Sequence, residues 1–256
     1  MASLGDLKAQ QLKLVDSLEV EAIETVSADR LNNFYIATKK GILKQYSQDN
    51  ELKIEFAPQK AGNITLVEAW NPLRIFIFYE NFQEYVLLDR FLIPSSRYDM
   101  QAITAYAGLA TISADNNLWL VDLADFGLKK YNNSFGQTII NTSFDLLLDP
   151  DDYEISFIRE YQNLVFIADK KSGILVFDNM GNFLRKIGYT DVDYFNFLDR
   201  EIYFVENNKL IFVNIYNNEI RTMQLPFAPQ FALVTSNYVR LFDDKMVKIY
   251  KNQAKN

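Results

Sequence analysis

The residues best suited to chemistry in this sequence are short runs of closely spaced carboxylates. The densest run is LLLDPDDYE, which contains Asp149, Asp151, Asp152 and Glu154. Alternating aspartates can bind calcium through their oxygens, but this run lacks the glycine and the distal glutamate of an EF-hand loop. Because Pro150 fixes a turn here, we interpret the run as a solvated loop and predict no metal site.

Two further carboxylate pairs occur, at Asp191 with Asp193 and at Asp243 with Asp244. The first pair precedes a short apolar strand that is predicted to line one mouth of a central channel. A carboxylate in that position can serve as a general acid or base. Nothing nearby in the sequence identifies a substrate or a third catalytic group. Solvation of a turn is therefore the preferred interpretation of both pairs.

The sequence contains no histidine and no cysteine. The absence of histidine removes the usual general base near neutral pH and the commonest metal ligand. The absence of cysteine excludes disulfides, thiolate zinc sites and cysteine nucleophiles. No P-loop, dinucleotide fingerprint or serine-nucleophile motif appears in the sequence. We therefore predict no catalytic residue and no cofactor.

Composition limits the classes of partner. Apolar residues make up 49% of the chain and charged residues 23%, which is typical of a globular protein. The formal charge of −7 disfavours a nucleic-acid surface, which needs clustered lysine and arginine. No run approaches the roughly 20 apolar residues of a membrane span, and the first residues lack the apolar segment of a signal peptide. We expect no nucleic-acid partner and no direct membrane insertion.

An internal repeat defines the elements that carry these residues. Six apolar strands align, with steps of 41, 43, 46, 38 and 37 residues between the equivalent positions Phe34, Ile75, Leu118, Leu164, Ile202 and Val239. Each is followed by a short turn and a third strand, as in GILKQYS and GILVFDN, and is preceded by another short apolar strand. Four strands in about 40 residues are typical of one blade of a β-propeller.

The repeat predicts an all-β fold, a six-bladed β-propeller of four-stranded antiparallel blades in one domain over residues 1–256. The predicted blades span residues 22–56, 63–97, 102–144, 154–188, 192–226 and 230–253. The last unit lacks a clear fourth strand, whereas the segment at 11–21 carries an extra one. We therefore expect this N-terminal strand to complete the last blade and close the ring.

Some finer features are also predicted. AITAYAG is expected to be the inner strand of blade three, and FLIP the outer strand of blade two. The paired asparagines between strands are expected at turns, because asparagine tolerates left-handed backbone geometry. Trp70 and Trp119 fall at predicted strand positions, where packing in the core is the favoured interpretation.

The segment GILVFDNMGNFLRKIG resembles the third and fourth strands of an NHL-type six-bladed propeller. The Asn-, Tyr- and Phe-rich blades, with NPLRIFIFYENFQEYVLLD in blade two, are similar to uncharacterised secreted propellers of bacterial cell envelopes. This resemblance implies a periplasmic or envelope-associated location, with a cytoplasmic one left open, and a role in binding or assembly. It includes no catalytic motif and implies no site residue.

The leading functional hypothesis is a non-catalytic protein-interaction scaffold, an accessory subunit of a bacterial envelope or outer-membrane secretion or assembly complex. The expected partner is another envelope protein, and the chain alone is expected to be a monomer. Two alternatives stay open: a propeller enzyme of hydrolase or lactonase type, with a small or carbohydrate substrate in the channel, and a carbohydrate-binding or adhesion module.

Long loops on a regular scaffold commonly carry binding. The longest predicted inter-blade connections are FLIPSSRYDMQAITAY and NNSFGQTIINTSFDLLLDPDDYE. We therefore predict that the partner contacts residues in these two segments, namely Pro94, Arg97, Tyr98, Phe135, Asp149, Asp151, Asp152 and Tyr153.

Overall fold

A computed structural model describes residues 12–60 and 62–252. Within these residues the chain forms six four-stranded antiparallel sheets and two short 3-10 helices. Each sheet is one blade, so the predicted all-β, six-bladed β-propeller is confirmed. Residue 11 of the predicted closing strand and residue 253 of the predicted last blade lie outside the described residues.

The strands follow one another along the chain with only short connections. In chain order they are β1 (Lys13–Glu19), β2 (Ile23–Ala28), β3 (Phe34–Thr38), β4 (Leu43–Tyr46), β5 (Leu52–Phe56), β6 (Leu66–Glu68), β7 (Ile75–Tyr79), β8 (Glu84–Leu88), β9 (Pro94–Asp99), β10 (Ala107–Ile112), β11 (Leu118–Asp122), β12 (Gly127–Asn132), β13 (Gln137–Ser143), β14 (Ile155–Tyr161), β15 (Leu164–Asp169), β16 (Gly173–Asp178), β17 (Phe183–Ile187), β18 (Phe195–Leu198), β19 (Glu201–Glu206), β20 (Lys209–Asn214), β21 (Ile220–Gln224), β22 (Phe231–Val234), β23 (Tyr238–Asp243) and β24 (Met246–Lys251). The 3-10 helices are Glu80–Phe82 and Met100–Ala102.

The described chain divides into two compact units. The first unit, residues 21–194, contains the blades β2–β5, β6–β9, β10–β13 and β14–β17. The second unit, residues 12–20 and 195–252, contains the blade β18–β21 and the blade formed by β22–β24 with β1. Blades one and two of the first unit share an apolar cluster that includes Tyr35 and Ile77, and the two blades of the second unit share one that includes Phe212 and Leu241. That residues 1–256 form a single domain stays a prediction.

Burial falls from the middle of a blade towards its outer edge. Every residue of β3, β7 and β11, the second strands of the first three blades, is buried. Strands covered on both faces read as continuous apolar runs, which explains why IFIFY shows no alternation. The outer strands β5 and β17 are largely exposed, and each contains two charged residues.

Asparagine and aspartate residues shape the turns between strands. Positive φ angles between 55° and 64° occur at Asn32, Asn116, Asn207 and Asn218, and also at the unpaired Asn163. The predicted left-handed turn role is therefore confirmed for four of the five asparagine pairs, and the pair at residues 132–133 lacks a positive φ. A second device recurs at Asp29, Asp89 and Asp178. The side chain of each aspartate accepts hydrogen bonds from the backbone N–H groups two and four residues later. These bonds stabilise the turns locally.

The N-terminal strand completes the last blade, as predicted. Strand β1 pairs antiparallel with β24, with Glu19 opposite Met246. The N–H of Val20 also donates to the carbonyl of Lys245 over 2.9 Å. The two ends of the described chain therefore lie side by side in one sheet.

Three strands lie where the sequence interpretation placed something else. The outer strand of blade two is β9 and not FLIP, and the inner strand of blade three is β10 and not AITAYAG. Strand β13 lies within a segment that was expected to be a connection. The true connections are therefore short, at residues 100–106 and 144–154.

Composition explains these errors. Strands β9 and β13 are outer strands with mostly exposed side chains, so they show no apolar signal. Strand β10 is built from small residues, including Gly108, where a Cβ atom would lie 2.6 Å from the side chain of Leu123. Its close packing therefore requires a residue with low strand propensity.

Candidate functional site

A cavity of about 440 Å³ lies in the first unit, at the C-terminal ends of the inner strands β2, β6, β10 and β14. The inner strands of neighbouring blades contact one another, so the segments that follow them meet at one end. The charged and aromatic residues that line the cavity include Arg30, Glu68, Trp70, Arg74, Arg159 and Glu160. The number of arginines stands out in a chain with a net charge of −7.

An ion pair between Glu68 and Arg159 forms the floor of the cavity. The guanidinium Nε of Arg159 lies 2.6 Å from Oε2 of Glu68, and its Nη2 lies 3.0 Å from Oε1. The two side chains are 5% and 9% exposed, which makes this a buried bidentate pair. The pair joins β14 of blade four to β6 of blade two, two blades that are not consecutive along the chain.

Both carboxylate oxygens of Glu160 are also engaged. Trp119 donates its indole N–H to Oε2 over 2.5 Å, and the backbone N–H of Ala114 donates to Oε1 over 3.2 Å. The Trp119 side chain is fully buried, as predicted. Every carboxylate oxygen of the two cavity glutamates therefore already accepts at least one hydrogen bond from the protein.

A third carboxylate, Asp115, follows the cavity residue Ala114 in the chain. Burial acts to raise the pKa of Asp115, but hydrogen bonds from Lys130, Ser113 and the Asn117 backbone lower this pKa to about 2. The Nζ of Lys130 lies 2.8 Å from Oδ2 of Asp115. Asp115 is thus a permanently charged partner of a lysine near neutral pH.

Trp70 forms an aromatic wall above the floor. Its side chain is 50% exposed, and its ring meets Tyr161 edge to face with centroids 6.3 Å apart. The backbone N–H of Trp70 donates to Oε1 of Glu68 over 2.9 Å, which ties the wall to the floor. The prediction that Trp70 packs in the core was wrong, because β6 ends at Glu68 and Trp70 lies in the bend that follows.

Arg30 and Arg74 lie at the rim. Arg74 donates from Nη1 to Oδ1 of Asn116 over 2.7 Å, which fixes its guanidinium beside blade three. The backbone N–H of Arg30 donates to the carbonyl of Trp70 over 3.2 Å. Neither guanidinium forms an ion pair with any residue that the structure describes. The rim therefore carries two cations that are not neutralised within the described chain.

The predicted partner-binding residues of blade two lie on an outer strand. Pro94, Arg97 and Tyr98 all belong to β9. Arg97 pairs with Glu84, and the ring of Tyr98 stacks on Tyr85 with centroids 4.7 Å apart. These residues therefore form part of the side of a blade and do not belong to a loop.

The other predicted residues lie at opposite ends of blade three. Phe135, 77% exposed, occupies the turn between β12 and β13. Asp149, Asp151, Asp152 and Tyr153 lie in the connection that leaves the other end of β13. The eight residues do not form one surface, and their role in binding stays a prediction.

Local contacts account for the acidic run in that connection. Asp149 accepts the backbone N–H of Asp151 over 3.0 Å, and Asp152 lies 3.7 Å from the ammonium of Lys171. The ring of Tyr153 packs on Phe126 with centroids 5.0 Å apart. Among the described residues, no group of three or more acidic side chains is placed to hold a metal ion.

Sequence signals for the cavity exist but are subtle. The tripeptide Ser-Ala-Asp occurs at residues 27–29 and 113–115, where it marks the ends of β2 and β10. Glu68 is the one charged residue of the segment NITLVEA, and Arg159 has a similar position in EISFIRE, which also begins and ends with glutamate. A charge within a buried strand needs a partner, and their opposite signs hint at the pairing.

Comparison with known proteins gives structural likeness without sequence likeness. No protein-family model and no curated protein matches the sequence. Virginiamycin B lyase from Staphylococcus aureus superposes with a TM-score of 0.60 at 14% identity, over 96% of this chain and 90% of the lyase. BamB from Moraxella catarrhalis superposes with a TM-score of 0.56 at 10% identity, over 96% of this chain and 99% of BamB.

A third similar structure is the extracellular domain of the one-component system BT4673 from B. thetaiotaomicron. It superposes with a TM-score of 0.60 at 12% identity and covers 91% of this chain. The present chain spans only 33% of the length of that extracellular domain's chain. At these identities the likeness establishes the propeller fold and nothing finer. Within the described ranges, no helix is long and apolar enough to cross a membrane.

Proposed function

We propose that this chain is a non-catalytic protein-interaction scaffold. The observation that carries the proposal is which side chains of the cavity are already hydrogen-bonded within the protein and which remain available to a partner. Every oxygen of Glu68 and Glu160 already accepts a hydrogen bond from a protein donor, which assigns both carboxylates a structural role, and the sequence has no histidine to act as a general base in their place. Arg30, Arg74 and the half-exposed Trp70 face the opening instead, and such groups are enriched where proteins bind one another.

The absence of histidine supports a role without catalysis. The lyase that shares this fold is catalytically inactive when one histidine is replaced by alanine. The present sequence has no histidine at any position. Chemistry that depends on an imidazole therefore has no equivalent here.

We further propose that the partner is an envelope protein and that the chain is an accessory subunit of a secretion or assembly complex. Two observations support this location: the resemblance of the blades to envelope propellers, and the fold shared with BamB and with an extracellular domain. A preformed rigid face suits such a role, because little entropy is lost by ordering it on binding.

Site-specific photocrosslinking in cells of the source organism tests the proposal. A photoreactive residue replaces Leu73, which is 60% exposed beside the cavity, or Leu184, which is 51% exposed on the outer strand β17. We expect a discrete crosslinked envelope protein from position 73 and none from position 184. Identical products from both positions, or turnover of glycoside, lactone, ester or phosphate substrates by the pure protein, would contradict the proposal.

The half-exposed indole of Trp70 favours a second candidate, a carbohydrate-binding module, because indole faces supply apolar contact area with a polar edge. Soluble cell-wall glycans added during the crosslinking experiment distinguish the two. Loss of the crosslink together with direct glycan binding would favour the carbohydrate module.

A further inference from the structure

We propose that the cavity binds the side-chain carboxylate of an aspartate or glutamate at the tip of a partner loop, with an apolar neighbour of that residue packed on Trp70. This inference rests on the proposed scaffold function and assigns its contact site. The face so defined is distinct from the segments 94–98 and 132–153, where the sequence alone placed the partner.

The charged residues that line the cavity favour a monoanionic ligand. Three of the chain's nine arginines line this cavity, together with two glutamates. Arg159 is neutralised by Glu68 on the floor, and the set as a whole keeps one net positive charge. A monoanion balances that charge, whereas a phosphate dianion would bring excess negative charge close to Glu68 and Glu160. The cavity therefore favours a carboxylate.

The arginines at the rim also have the geometry that a carboxylate requires. A guanidinium presents five N–H donors in a planar fork that matches a carboxylate. The bond from Arg74 Nη1 to Asn116 uses one of these donors and holds the group in place, which lowers the entropy lost on binding. Arg30 is linked to the same wall through the carbonyl of Trp70. The guanidinium of Arg74 is therefore oriented, and the backbone bond of Arg30 places a second cation in the lining next to Trp70.

The volume of the cavity and the exposed half of Trp70 fit a short segment of polypeptide. A volume of about 440 Å³ lies at the lower end of the range of about 300–1,000 Å³ for ligand pockets. It suits a few residues of extended chain. The exposed half of Trp70 offers an apolar surface beside the arginines, and aromatic contact there adds to the ion pair. A loop tip with one acidic and one apolar side chain satisfies both features.

The test uses the full chain and a defined probe, the peptide acetyl-Gly-Phe-Glu-Gly-amide, with its Glu-to-Gln counterpart as the uncharged match. Binding is measured by isothermal titration calorimetry and by the emission of Trp70, since Trp119 is fully buried. We expect a Kd on the order of 100 µM for the acidic peptide and binding at least about tenfold weaker for its counterpart.

Two variants assign the site. The double variant R30Q/R74Q is expected to lose at least about tenfold in affinity. R90Q is the control: it also removes the charge of an exposed arginine of blade two, in the turn between β8 and β9, and is expected to bind like the wild type. Both variants are checked for an unchanged melting temperature, since neither arginine at the rim is buried.

Several outcomes would overturn the inference. They are equal affinity for the two peptides, unchanged affinity in R30Q/R74Q, or full displacement of the peptide by millimolar inorganic phosphate, which would indicate a general anion site. Loss of the crosslink from position 73 in R30Q/R74Q supports it. A crosslink that persists in R30Q/R74Q refutes the acidic contact but leaves the scaffold function standing, whereas no crosslink in the wild type refutes the scaffold function itself.

Discussion

Replacement of Arg159 by methionine should destabilise the protein by about 3–5 kcal/mol. The change leaves the carboxylate of Glu68 buried without its partner, and removal of one member of a buried ion pair costs about this much. The magnitude follows from the structure, because the pair is bidentate and the two side chains are only 5% and 9% exposed. The melting temperature should fall by roughly 6–20 °C.

The double variant E68L/R159M should recover much of this loss. Apolar groups of similar volume often replace a buried ion pair at little cost, although Trp70 then loses the acceptor of its backbone N–H. A double-mutant cycle should give a coupling energy of about 2–3 kcal/mol between the two positions. This recovery separates a buried-charge effect from a simple loss of packing.

The matched control is the pair of Arg221 with Glu201 in blade five. It is also bidentate, with Nε 2.8 Å from Oε1, but its side chains are 44% and 23% exposed. R221M should therefore cost no more than about 1 kcal/mol. Urea unfolding followed by circular dichroism measures all the variants, with comparison allowed where the slope m is unchanged.

Equal losses for R159M and R221M would refute this reasoning, because burial would then have no influence on the cost. So would a loss for E68L/R159M equal to the sum of the two single losses. In that case the two side chains would act independently, and the floor of the cavity would not depend on their pairing.

Four further predictions can be measured on the same protein. Deletion of residues 1–20 should lower the melting temperature and promote aggregation, because it removes β1 from β24 and exposes a strand edge; an unchanged melting temperature would contradict the pairing. Addition of EDTA should leave the melting temperature unchanged, whereas a drop restored by calcium would reveal a metal site. Hydrogen bonds from Lys44 and Lys40 lower the pKa of Glu21 to about 2. The wild type should therefore be more stable than E21Q above about pH 4.5, and this difference should vanish as pH falls towards 2. Tyr79→Phe should be neutral or stabilising because its buried hydroxyl has no hydrogen-bond partner among the described residues, whereas Tyr35→Phe should cost about 1–3 kcal/mol because its hydroxyl bonds to Asp29 and Gln45.

The sequence predicted the blades because the repeat is a local property. A second strand such as β7 is apolar along its whole length, and turn residues mark the start of such strands, as Asn116 does for β11. Outer strands such as β9 and β13 were missed, because they are stabilised by backbone hydrogen bonds to one neighbour and need no apolar pattern. Polar outer strands look like loops in a sequence.

The cavity could not be predicted from the sequence, for a different reason. Glu68 and Arg159 are 91 residues apart in the chain, and their contact depends on how the inner strands of three blades pack. The wall formed by Trp70 depends on β6 ending after only three residues. Neither feature leaves a motif, so the sequence predicted the scaffold and missed the site that it builds.

The pairing of β1 with β24 also determines how the last blade responds to force. The partners are antiparallel, with Lys13 at the start of β1 opposite Lys251 at the end of β24. A pull applied at residues 12 and 252 therefore loads the hydrogen bonds one after another from a single end, as in a zipper, and does not load them together in shear. Tension between two anchoring points at these positions would peel β1 from its blade at low force, and release of tension would let it return.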